Sequence, residues 1–231
     1  MINIQGLLKT TLLDFPGHVA STVFLGGCNM RCPFCHNADI IDGTLPCKYT
    51  LEEVLGFLDK RQGIIEGVCI TGGEPTIYSD LPDLIRAIKD KGFLVKLDTN
   101  GTNPGMIGTL MEEGLTDYIA MDIKSSIPGY DRASGISGID TSAIRESISL
   151  LINGNCDYEF RSTVADELFD DTDIKQIGEM LAGATRYFLQ GYVESDFVPD
   201  KTLHAADKEK LLRYRQELLK TIRSVELRGY D

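Results

Sequence analysis

The chain lacks an excess of basic residues, and this absence limits the partners it can have. Of its 231 residues, 23 are lysine or arginine and 35 are aspartate or glutamate, so the formal net charge is −12. Proteins that bind nucleic acid present a basic face, which argues against a nucleic-acid partner. The chain also lacks a run of about 20 apolar residues, the length needed to cross a membrane. We therefore expect no contact with nucleic acid and none with a membrane.

A secretory signal, internal repeats and linker-like segments are missing as well. The opening residues, MINIQGLLKT, are polar and alternating rather than a targeting segment. A chain of this length can form one α/β domain that buries roughly 70–75% of its unfolded surface, so we expect a single domain over residues 1–231. Six cysteines, three of them crowded into eight positions, are typical of a reducing compartment and predict a cytoplasmic protein.

Three of the cysteines form the motif from which a function can be argued. Cys28, Cys32 and Cys35 lie in GGCNMRCPFCHN, a C-x3-C-x2-C pattern on one short loop. Soft sulfur ligands suit iron–sulfur clusters, and three thiolates can hold three irons of a [4Fe–4S] cluster. The fourth iron then stays open to a small molecule. Phe34, inside the motif, could lie against a flat heterocycle or shield the cluster.

A structural zinc site is the alternative interpretation of this loop, with Cys47 or His36 as the fourth ligand. His36 fits poorly because it directly follows Cys35. Structural zinc usually takes its ligands from two C-x(2–4)-C pairs, so the spacing favours the cluster. The remaining cysteines have weaker claims: Cys69 lies in an apolar run typical of the core, and Cys156 has no partner near it in sequence.

Strands and helices alternate along the predicted structure. Apolar, β-branched runs predict strands at residues 19–25, 67–71, 93–97, 118–123, 158–164 and 187–189. Helical patterns follow them, from residue 50 and at 81–91, 106–113, 142–152, 174–181 and 207–222. Thr50 and Glu53 form a capping box at the start of the first helix. Further short strands are predicted within residues 2–13 and at 225–228.

This alternation predicts a mostly parallel sheet with right-handed crossovers. Six strand–helix units are too few to close an eight-fold barrel, so the predicted fold is an open, partial (β/α)6 barrel of the α/β class. Chemistry in such barrels collects at the carboxyl ends of the strands. The polar residues fall there in turn, namely the three cysteines, Gly72 to Glu74, Asp98, Asp122 with Lys124, Arg161 and Gln190. The sequence therefore predicts one site at this rim.

The charged residues of the predicted rim are expected to neutralise one another. Asp98 and Asp122 would repel if they lie close together, so we expect Lys124, a positively charged ligand or a bound monovalent cation between them. A structural ion pair at the edge of the sheet is the alternative, because such networks also occupy strand ends. Arg161 could contact ligand hydroxyls or a carboxylate in bidentate fashion. The two glycines after the second strand leave main-chain groups bare for a ligand amine or carboxylate.

The motifs resemble those of a known family. The cysteine motif with Gly72-Gly73-Glu74-Pro75 resembles the radical S-adenosylmethionine enzymes over nearly the whole chain. The segments Cys35-His36-Asn37, Leu97-Asp98-Thr99-Asn100-Gly101 and Asp122-Ile123-Lys124 are similar to those of glycyl-radical-enzyme activating enzymes. The short chain, its opening and its ending, SVELRGY, resemble the activators of anaerobic ribonucleoside-triphosphate reductase. Residues 37–50 leave no room for a ferredoxin-like insertion, which favours compact activators, including the one for pyruvate formate-lyase.

The resemblance implies an oxidoreductase with a [4Fe–4S] cluster and S-adenosylmethionine as cofactors. Reductive cleavage would give a 5′-deoxyadenosyl radical, which takes hydrogen from a glycine of a partner enzyme, first of all anaerobic ribonucleotide reductase. A flavodoxin- or ferredoxin-type protein would supply the electron. Cys28, Cys32 and Cys35 would hold the cluster, with a monovalent cation possible near Asp98 and Asp122. The residues expected to contact S-adenosylmethionine are Phe34, His36, Asn37, Gly72, Gly73, Glu74, Asp98, Asn100, Asp122, Lys124, Arg161 and Gln190.

Two alternative functions stay open at the level of sequence. One is a radical S-adenosylmethionine enzyme that acts on a small molecule, such as a 7-carboxy-7-deazaguanine synthase-like enzyme with a deazapurine precursor. The other is a zinc-stabilised binding module without catalysis. Anaerobic reconstitution with iron and sulfide separates the zinc module from the enzymes, because only the enzymes would take up a cluster.

Overall fold

The computed structural model describes residues 2–229, which contain one eight-stranded sheet with its strands in sequential order. The strands are β1 (Ile4–Thr11), β2 (Ala20–Leu25), β3 (Gly67–Gly72), β4 (Leu94–Thr99), β5 (Tyr118–Asp122), β6 (Asp157–Val164), β7 (Tyr187–Gly191) and β8 (Val225–Arg228). β1 runs antiparallel to β2, and each later pair of neighbours is parallel. In the described residues β1 and β8 form the two ends of the sheet order, so the predicted open, partial barrel is confirmed.

Helices connect the parallel strands. They are α1 (Leu51–Asp59), α2 (Leu81–Lys89), α3 (Pro104–Glu112), α4 (Tyr130–Ser134), α5 (Thr141–Asn153), α6 (Asp171–Met180) and α7 (Lys208–Leu218). The short helix α4 was not predicted, because five residues are too few to show a helical period. The last helix ends at Leu218 rather than at residue 222, since the chain turns there to enter β8. Every helix within residues 2–229 is too short or too polar to span a bilayer.

Local hydrogen bonds explain where two of the helices begin. The predicted capping box of α1 is present: the Glu53 amide donates to Thr50 Oγ1 at 3.1 Å, and the Thr50 amide donates to the Glu53 carboxylate at 2.8 Å. Asp170 and Asp173 form the same reciprocal pair at the start of α6. Each box satisfies main-chain donors that a helix start leaves without partners.

The two faces of the sheet differ in chemistry. Its outer face packs against the helices, where Ile70, Leu97 and Ile119 are completely buried. Successive side chains of a strand point to opposite faces, so residues two apart share the inner face of the barrel. That inner face carries ionised groups, including Lys96 and Asp98 on β4 and Glu159 and Arg161 on β6. The barrel interior is therefore polar.

The amino-terminal end of the barrel is closed by an aromatic residue. The predicted turn Asp14-Phe15-Pro16-Gly17 places Phe15 against the first residues of the strands, where only 2% of the phenylalanine is exposed. Its ring centroid lies 6.2 Å from that of Tyr118, and a Cβ on Gly67 would come within 2.8 Å of the phenyl ring. Glycine at position 67 is thus what lets the ring enter. A ligand must approach from the opposite end or through the open side.

The free edge of β1 is partly covered by residues 45–49. Gln5 donates to the carbonyl groups of Leu45 and Pro46, at 3.2 and 2.9 Å, and the Lys48 amide donates to the Ile4 carbonyl at 2.9 Å. Ile4 also forms an antiparallel bridge with Tyr49. These bonds hold the segment that follows the cysteine loop along the first strand.

Some predicted features reach beyond the residues that the structure describes. The predicted domain spans 1–231, and its first residue and last two lie outside the described range. Tyr230, the last residue of the SVELRGY ending, is one of them. A single domain over the whole chain stays a prediction.

Candidate functional site

One cavity of about 260 Å³ opens at the carboxyl ends of the parallel strands. Every residue that the sequence predicts for the site lines it: Cys28, Cys32, Phe34, Cys35, His36, Asn37, Gly72, Gly73, Glu74, Asp98, Asn100, Asp122, Lys124, Arg161 and Gln190. Met30, Ile41, Thr71, Thr99 and Thr163 complete the lining and were not predicted. The structure thus brings together groups that lie up to 162 positions apart in sequence, from Cys28 to Gln190.

Main-chain bonds fix the shape of the cysteine loop. The Cys28 amide donates to the Ile41 carbonyl at 2.8 Å, and the Arg31 amide donates to the Ser134 carbonyl at 2.8 Å. Ser134 ends the short helix α4, so this unpredicted element holds one side of the loop. The Asn37 side-chain amide donates to the Gly72 carbonyl at 2.8 Å and ties the end of the loop to β3. The three thiols are therefore presented by a braced loop.

The three thiols are neutral in this environment without a metal. Burial raises the pKa of Cys28 to about 11, and burial likewise raises the pKa values of Cys32 and Cys35, although the Lys124 ammonium acts against it. Metal ligation requires thiolates, and a bound cationic centre supplies the charge that stabilises them. Three sulfur donors facing one cavity are a donor set that fits an iron–sulfur cluster.

The other cysteines lie away from this cavity. The Cys47 thiol donates to the Tyr49 carbonyl at 2.9 Å at the edge of the sheet. Cys69 is buried inside the barrel, 3.8 Å from the Lys96 ammonium, and Cys156 lies 3.8 Å from the Thr116 hydroxyl. None of the three lines the cavity. The zinc interpretation needed Cys47 or His36 as fourth ligand, and the structure places Cys47 outside the site.

Gly72 and Gly73 allow the end of β3 to pass directly against the cysteine loop. Gly72 has a φ of +118°, a backbone conformation that side chains disfavour. A Cβ on Gly73 would come within 1.9 Å of the Gly27 carbonyl oxygen, which excludes any larger residue. The Glu74 amide then donates to that same oxygen at 2.9 Å. The predicted glycine pair therefore has a packing role beside any ligand role.

The Glu74 carboxylate joins the ends of β3 and β4. It is buried and accepts hydrogen bonds from the Thr99 hydroxyl at 2.7 Å and the Asn100 amide at 2.6 Å, as well as from Thr76. Burial raises the pKa of Glu74, while these bonds act in the opposite direction. Sequence analysis assigned Glu74 to a ligand, and the structure shows its side chain engaged with the protein. Its ligand contact stays a prediction.

Replacing Glu74 with glutamine is expected to destabilise the rim. The amide nitrogen of glutamine would face either the Asn100 amide or the threonine donors, so at least one buried donor would lose its acceptor. The expected loss in free energy of unfolding is about 1–3 kcal/mol. Urea denaturation of the two proteins measures it, with the exposed Glu52→Gln as the matched control. Equal losses in the two variants would contradict the bracing role.

Five charged side chains alternate in sign across the inner face of the barrel: Lys96, Asp98, Arg161, Asp122 and Lys124. Lys96 contacts Asp98, whose second oxygen lies 3.0 Å from Arg161 Nη2. Arg161 Nε donates to Asp122 at 2.5 Å, and Lys124 Nζ contacts the other Asp122 oxygen at 2.9 Å. Three cations against two anions leave one net positive charge. We call this set the charge ladder.

Burial and charge act in opposite directions on the carboxylates of the ladder. Burial alone would raise the pKa of Asp98 and of Asp122, but the Arg161 guanidinium, together with the lysines, outweighs it and lowers both pKa values. Burial would likewise lower the pKa of Lys124, and the Asp122 carboxylate overcomes this and raises it. Asp98, Asp122 and Lys124 are therefore ionised at neutral pH.

The position between the two carboxylates belongs to Arg161. The sequence predicts Lys124, a positively charged ligand or a monovalent cation between Asp98 and Asp122, and a ligand contact for Arg161. The expectation for Lys124 is wrong, because of the two carboxylates Lys124 contacts only Asp122. A guanidinium is planar and offers several donors, so it can contact two carboxylates at once. The structural ion pair proposed as the alternative is thus present, and the monovalent cation and the ligand contact of Arg161 stay predictions.

The remaining predicted residues surround the cysteine loop. Phe34 is buried, and the Lys124 ammonium lies 5.7 Å from the centroid of its ring. His36 contacts the Val193 carbonyl through Nε2 at 2.9 Å. Gln190 lies near the end of β7 and lines the same cavity as the cysteines. Their contacts with S-adenosylmethionine stay predictions.

Asn100 has an additional function that sequence analysis did not predict. Its side-chain amide donates to Asn29 Oδ1 at 2.9 Å, and its own oxygen accepts from the Thr102 amide at 3.0 Å and the Thr102 hydroxyl at 2.7 Å. Asn29 lies between two residues of the cysteine loop and in turn donates to Thr102 at 2.7 Å. This amide pair fixes the loop against the end of β4. No pattern in the sequence around Asn29 predicts this bond.

Comparison with known proteins identifies the family. The model of the radical SAM superfamily matches residues 22–181. A Methanocaldococcus jannaschii protein with the provisional name glycyl-radical enzyme activating enzyme is 32% identical over 200 residues, which cover 84% of this chain and 81% of that protein. The pyruvate formate-lyase 1-activating enzyme of Escherichia coli is 29% identical over 172 residues, 70% of this chain and 67% of that enzyme.

Solved structures agree on the fold. SuiB of Streptococcus suis, bound to the precursor peptide SuiA, matches with a TM-score of 0.65 at 14% identity, over 88% of this chain and 47% of that one. Archaeal TYW1 matches with a TM-score of 0.59 at 15% identity, over 88% of this chain and 72% of that one. At such low identity the likeness concerns the fold alone.

The chain therefore belongs to the radical SAM superfamily, whose members use a [4Fe–4S] cluster and S-adenosylmethionine. Within the superfamily it falls in the family of glycyl-radical enzyme activating enzymes. The predicted family is thereby confirmed, as are an enzymatic function and the [4Fe–4S] cluster and S-adenosylmethionine as cofactors. A glycyl radical enzyme is implied as partner.

Proposed function

We propose that this protein installs a glycyl radical on anaerobic ribonucleoside-triphosphate reductase. When bound, the reduced cluster and S-adenosylmethionine supply a 5′-deoxyadenosyl radical that removes a hydrogen atom from a glycine Cα. The protein's own work is to bind these groups, to orient them and to admit the partner's polypeptide. The observation that carries the proposal is the meeting of three thiols and four members of the charge ladder, Asp98, Asp122, Lys124 and Arg161, in one cavity.

Two parts of the site would hold the cofactors in this proposal. Cys28, Cys32 and Cys35 would ligate the cluster. The carbonyl groups of Gly72 and Gly73, which lie beside Cys28, would accept from the amino group of S-adenosylmethionine. The Gly73 amide already donates to the Leu25 carbonyl at 2.8 Å, so it does not serve the ligand carboxylate. The members of the charge ladder that line the cavity carry two positive and two negative charges, so the ladder offers charged partners to either end of the ligand. Because its five side chains already hold one another in place, little rearrangement is needed when the ligand binds.

The open barrel suits a polypeptide substrate. β1 and β8 are the two ends of the sheet order in residues 2–229, so the inner face is not enclosed on that side. Phe15 closes the amino-terminal end, which directs access to the open side and the carboxyl rim. A loop that carries a glycine can approach there.

The choice of ribonucleotide reductase rests on the segment SVELRGY, which resembles activators of that reductase. The lack of room for a ferredoxin-like insertion in residues 37–50 fits this activator and that of pyruvate formate-lyase alike. Activation of pyruvate formate-lyase is the second candidate, supported by relatives of that name in E. coli and in Clostridium pasteurianum, the latter 30% identical over 132 residues. In both cases a reduced flavodoxin- or ferredoxin-type protein would donate the electron, and the protein would act in the cytoplasm.

The test is direct transfer of a radical to each candidate partner. The reduced protein is incubated anaerobically with S-adenosylmethionine and purified ribonucleotide reductase or pyruvate formate-lyase. We expect 5′-deoxyadenosine to form in proportion to the reductase, with a glycyl radical doublet by electron paramagnetic resonance. A reductase with its target glycine changed to alanine is the control and should give no doublet.

Three other outcomes would redirect the proposal. A doublet on pyruvate formate-lyase alone would exchange the partner and keep the class of reaction. Turnover of a small molecule, with no doublet on any glycyl radical enzyme of the source organism, would contradict the proposal. A protein that takes up zinc but no iron and sulfide would point to the binding module.

A further inference from the structure

Residues 192–203, which we call the lip, lie beside the mouth of the site. They follow β7 directly after Gln190 and Gly191, and Gln190 lines the cavity. His36 contacts the Val193 carbonyl at 2.9 Å, and the Asp200 amide donates to the Pro33 carbonyl at 3.0 Å. Both bonds run to the cysteine loop. The lip is therefore held against the loop that would carry the cluster.

The lip exposes two large apolar side chains to solvent. Val193 and Phe197 are each 64% exposed, although their neighbours Tyr192 and Val198 are buried. The buried residues form the floor of a cleft of about 380 Å³, which Leu203 also lines. Exposed aromatic and aliphatic side chains grouped beside a cleft are typical of surfaces that bind another protein.

The same surface is acidic. Glu194 and Asp196 line the cleft, Asp200 is a third carboxylate of the lip, and Lys201 is the lone basic residue in the sequence of the lip. The Lys201 ammonium donates to the Ser195 carbonyl at 3.0 Å, within the lip itself. Burial raises the pKa of Tyr192, and the carboxylates of Glu194 and Asp200 raise it further, as expected in a negative field.

Charges on neighbouring elements do not neutralise this surface. Glu167, from the loop after β6, contacts His204 Nδ1 at 2.6 Å. Asp166 pairs with Lys210 of α7 at 2.6 Å. These contacts pair one carboxylate with one basic group each and leave the carboxylates of the lip in excess. A second copy of this chain would also be negatively charged, because the net charge is −12, and repulsion therefore disfavours it as the molecule that binds to the lip.

We propose that the lip is the docking surface for the segment of the partner enzyme that carries the target glycine. The partner segment presents a basic side chain to Glu194 and Asp196 and a large apolar side chain to Phe197 and Val193. Charge complementarity selects the occupant, and the bonds to the cysteine loop place it next to the cavity. This inference rests on the proposed function, because it names the recognition step of the same reaction.

The test separates recognition from chemistry with two variants and two matched controls. Phe197→Ser removes the apolar contact, and Ile64→Ser removes a comparably exposed side chain, 56% against 64%, on the loop after α1. Glu194→Lys reverses a charge of the lip, and Glu146→Lys reverses one on the exposed face of α5. The initial rate of glycyl radical formation is measured against the concentration of ribonucleotide reductase and of pyruvate formate-lyase.

We expect each lip variant to raise the KM for the partner about 10-fold or more, the size of effect that loss of one interface hot spot gives, with kcat unchanged. Both controls should keep the wild-type KM. Iron content and partner-independent cleavage of S-adenosylmethionine by dithionite should be unchanged in all four proteins. The wild-type KM should rise with salt, and the dependence should weaken in Glu194→Gln.

The possible failures are distinguishable. If wild-type protein labels a partner and both lip variants keep its KM, the docking surface is refuted while the proposed function stands. If wild-type protein labels neither partner, the proposed function fails and the inference fails with it. If Phe197→Ser instead dissociates a dimer in analytical ultracentrifugation, a second copy occupies the lip and the inference is wrong.

Discussion

Replacing Cys32 with serine is expected to remove the iron–sulfur cluster and with it all radical formation. Cys32 is the most buried of the three thiols, with 7% of the residue exposed, and it lines the cavity between Cys28 and Cys35. A cluster held by three cysteines cannot keep its geometry on two. Wild-type protein reconstituted anaerobically should bind about four irons per chain, and the variant should lose most of them.

The matched control is Cys47→Ser, which changes the same atom outside the cavity. Its thiol contacts only main-chain groups at the edge of the sheet, so the variant should keep about four irons per chain. Iron and sulfide analysis together with visible absorbance measures both proteins. Equal loss of iron in the two variants would refute an assignment of three ligands with one open iron.

Replacing Arg161 with methionine is expected to destabilise the fold by about 3 kcal/mol, the lower end of the range for breaking a buried ion pair. Methionine keeps much of the volume but removes the group that lies between Asp98 and Asp122. Each carboxylate retains one lysine, which is why the lower end of the range applies. Urea denaturation at pH 7 measures the loss.

A surface arginine supplies the control. Arg86 also contacts two carboxylates, Asp83 at 2.7 Å and Glu113 at 2.6 Å, but its side chain is 46% exposed. Solvent screens such pairs, so Arg86→Met should lower the free energy of unfolding far less than Arg161→Met does. Equal losses in free energy of unfolding for the two variants would show that burial does not strengthen the ion pairs of the charge ladder.

The effect of Arg161→Met should also depend on pH. In the wild type the pKa values of Asp98 and Asp122 lie below the ordinary value of about 3.9, so both groups contribute stability above that pH. This contribution is lost as the pH falls through their folded-state values. Removing the guanidinium raises those values, because burial then acts with less opposition. The gap in unfolding free energy between wild type and variant should therefore narrow on acidification from pH 7 to about 3.

The path of the strands could be predicted because apolar and β-branched residues recur along each of them. Strands that pair in parallel are covered by helices on one face, and their sequences record that burial over five or six residues. The positions of the predicted site residues followed directly, since parallel strands end at one rim. This reasoning placed Asp98, Asp122 and Gln190 in a common cavity before any distance was known.

The contacts between those residues could not be predicted in the same way. Lys96 shares the inner face of β4 with Asp98, two residues away, so the period of the strand contained a signal that was overlooked. The pairing of Arg161 with both carboxylates depends instead on the distance across β5, which no local pattern specifies. Helix α4 and the bond between Asn29 and Asn100 likewise depend on tertiary packing alone.

The two ends of the sheet also govern how the protein behaves when it is concentrated. Unpaired strand edges are templates for association between chains. Here residues 45–49 bond to β1 around Ile4, the exposed Lys9 lies further along that strand, and β8 offers four residues. A neighbouring molecule that approaches β1 in a crowded solution therefore meets covered main-chain groups around Ile4 and a charged side chain at Lys9. A partial barrel can thus leave one side open to a substrate and still discourage its own copies from extending the sheet.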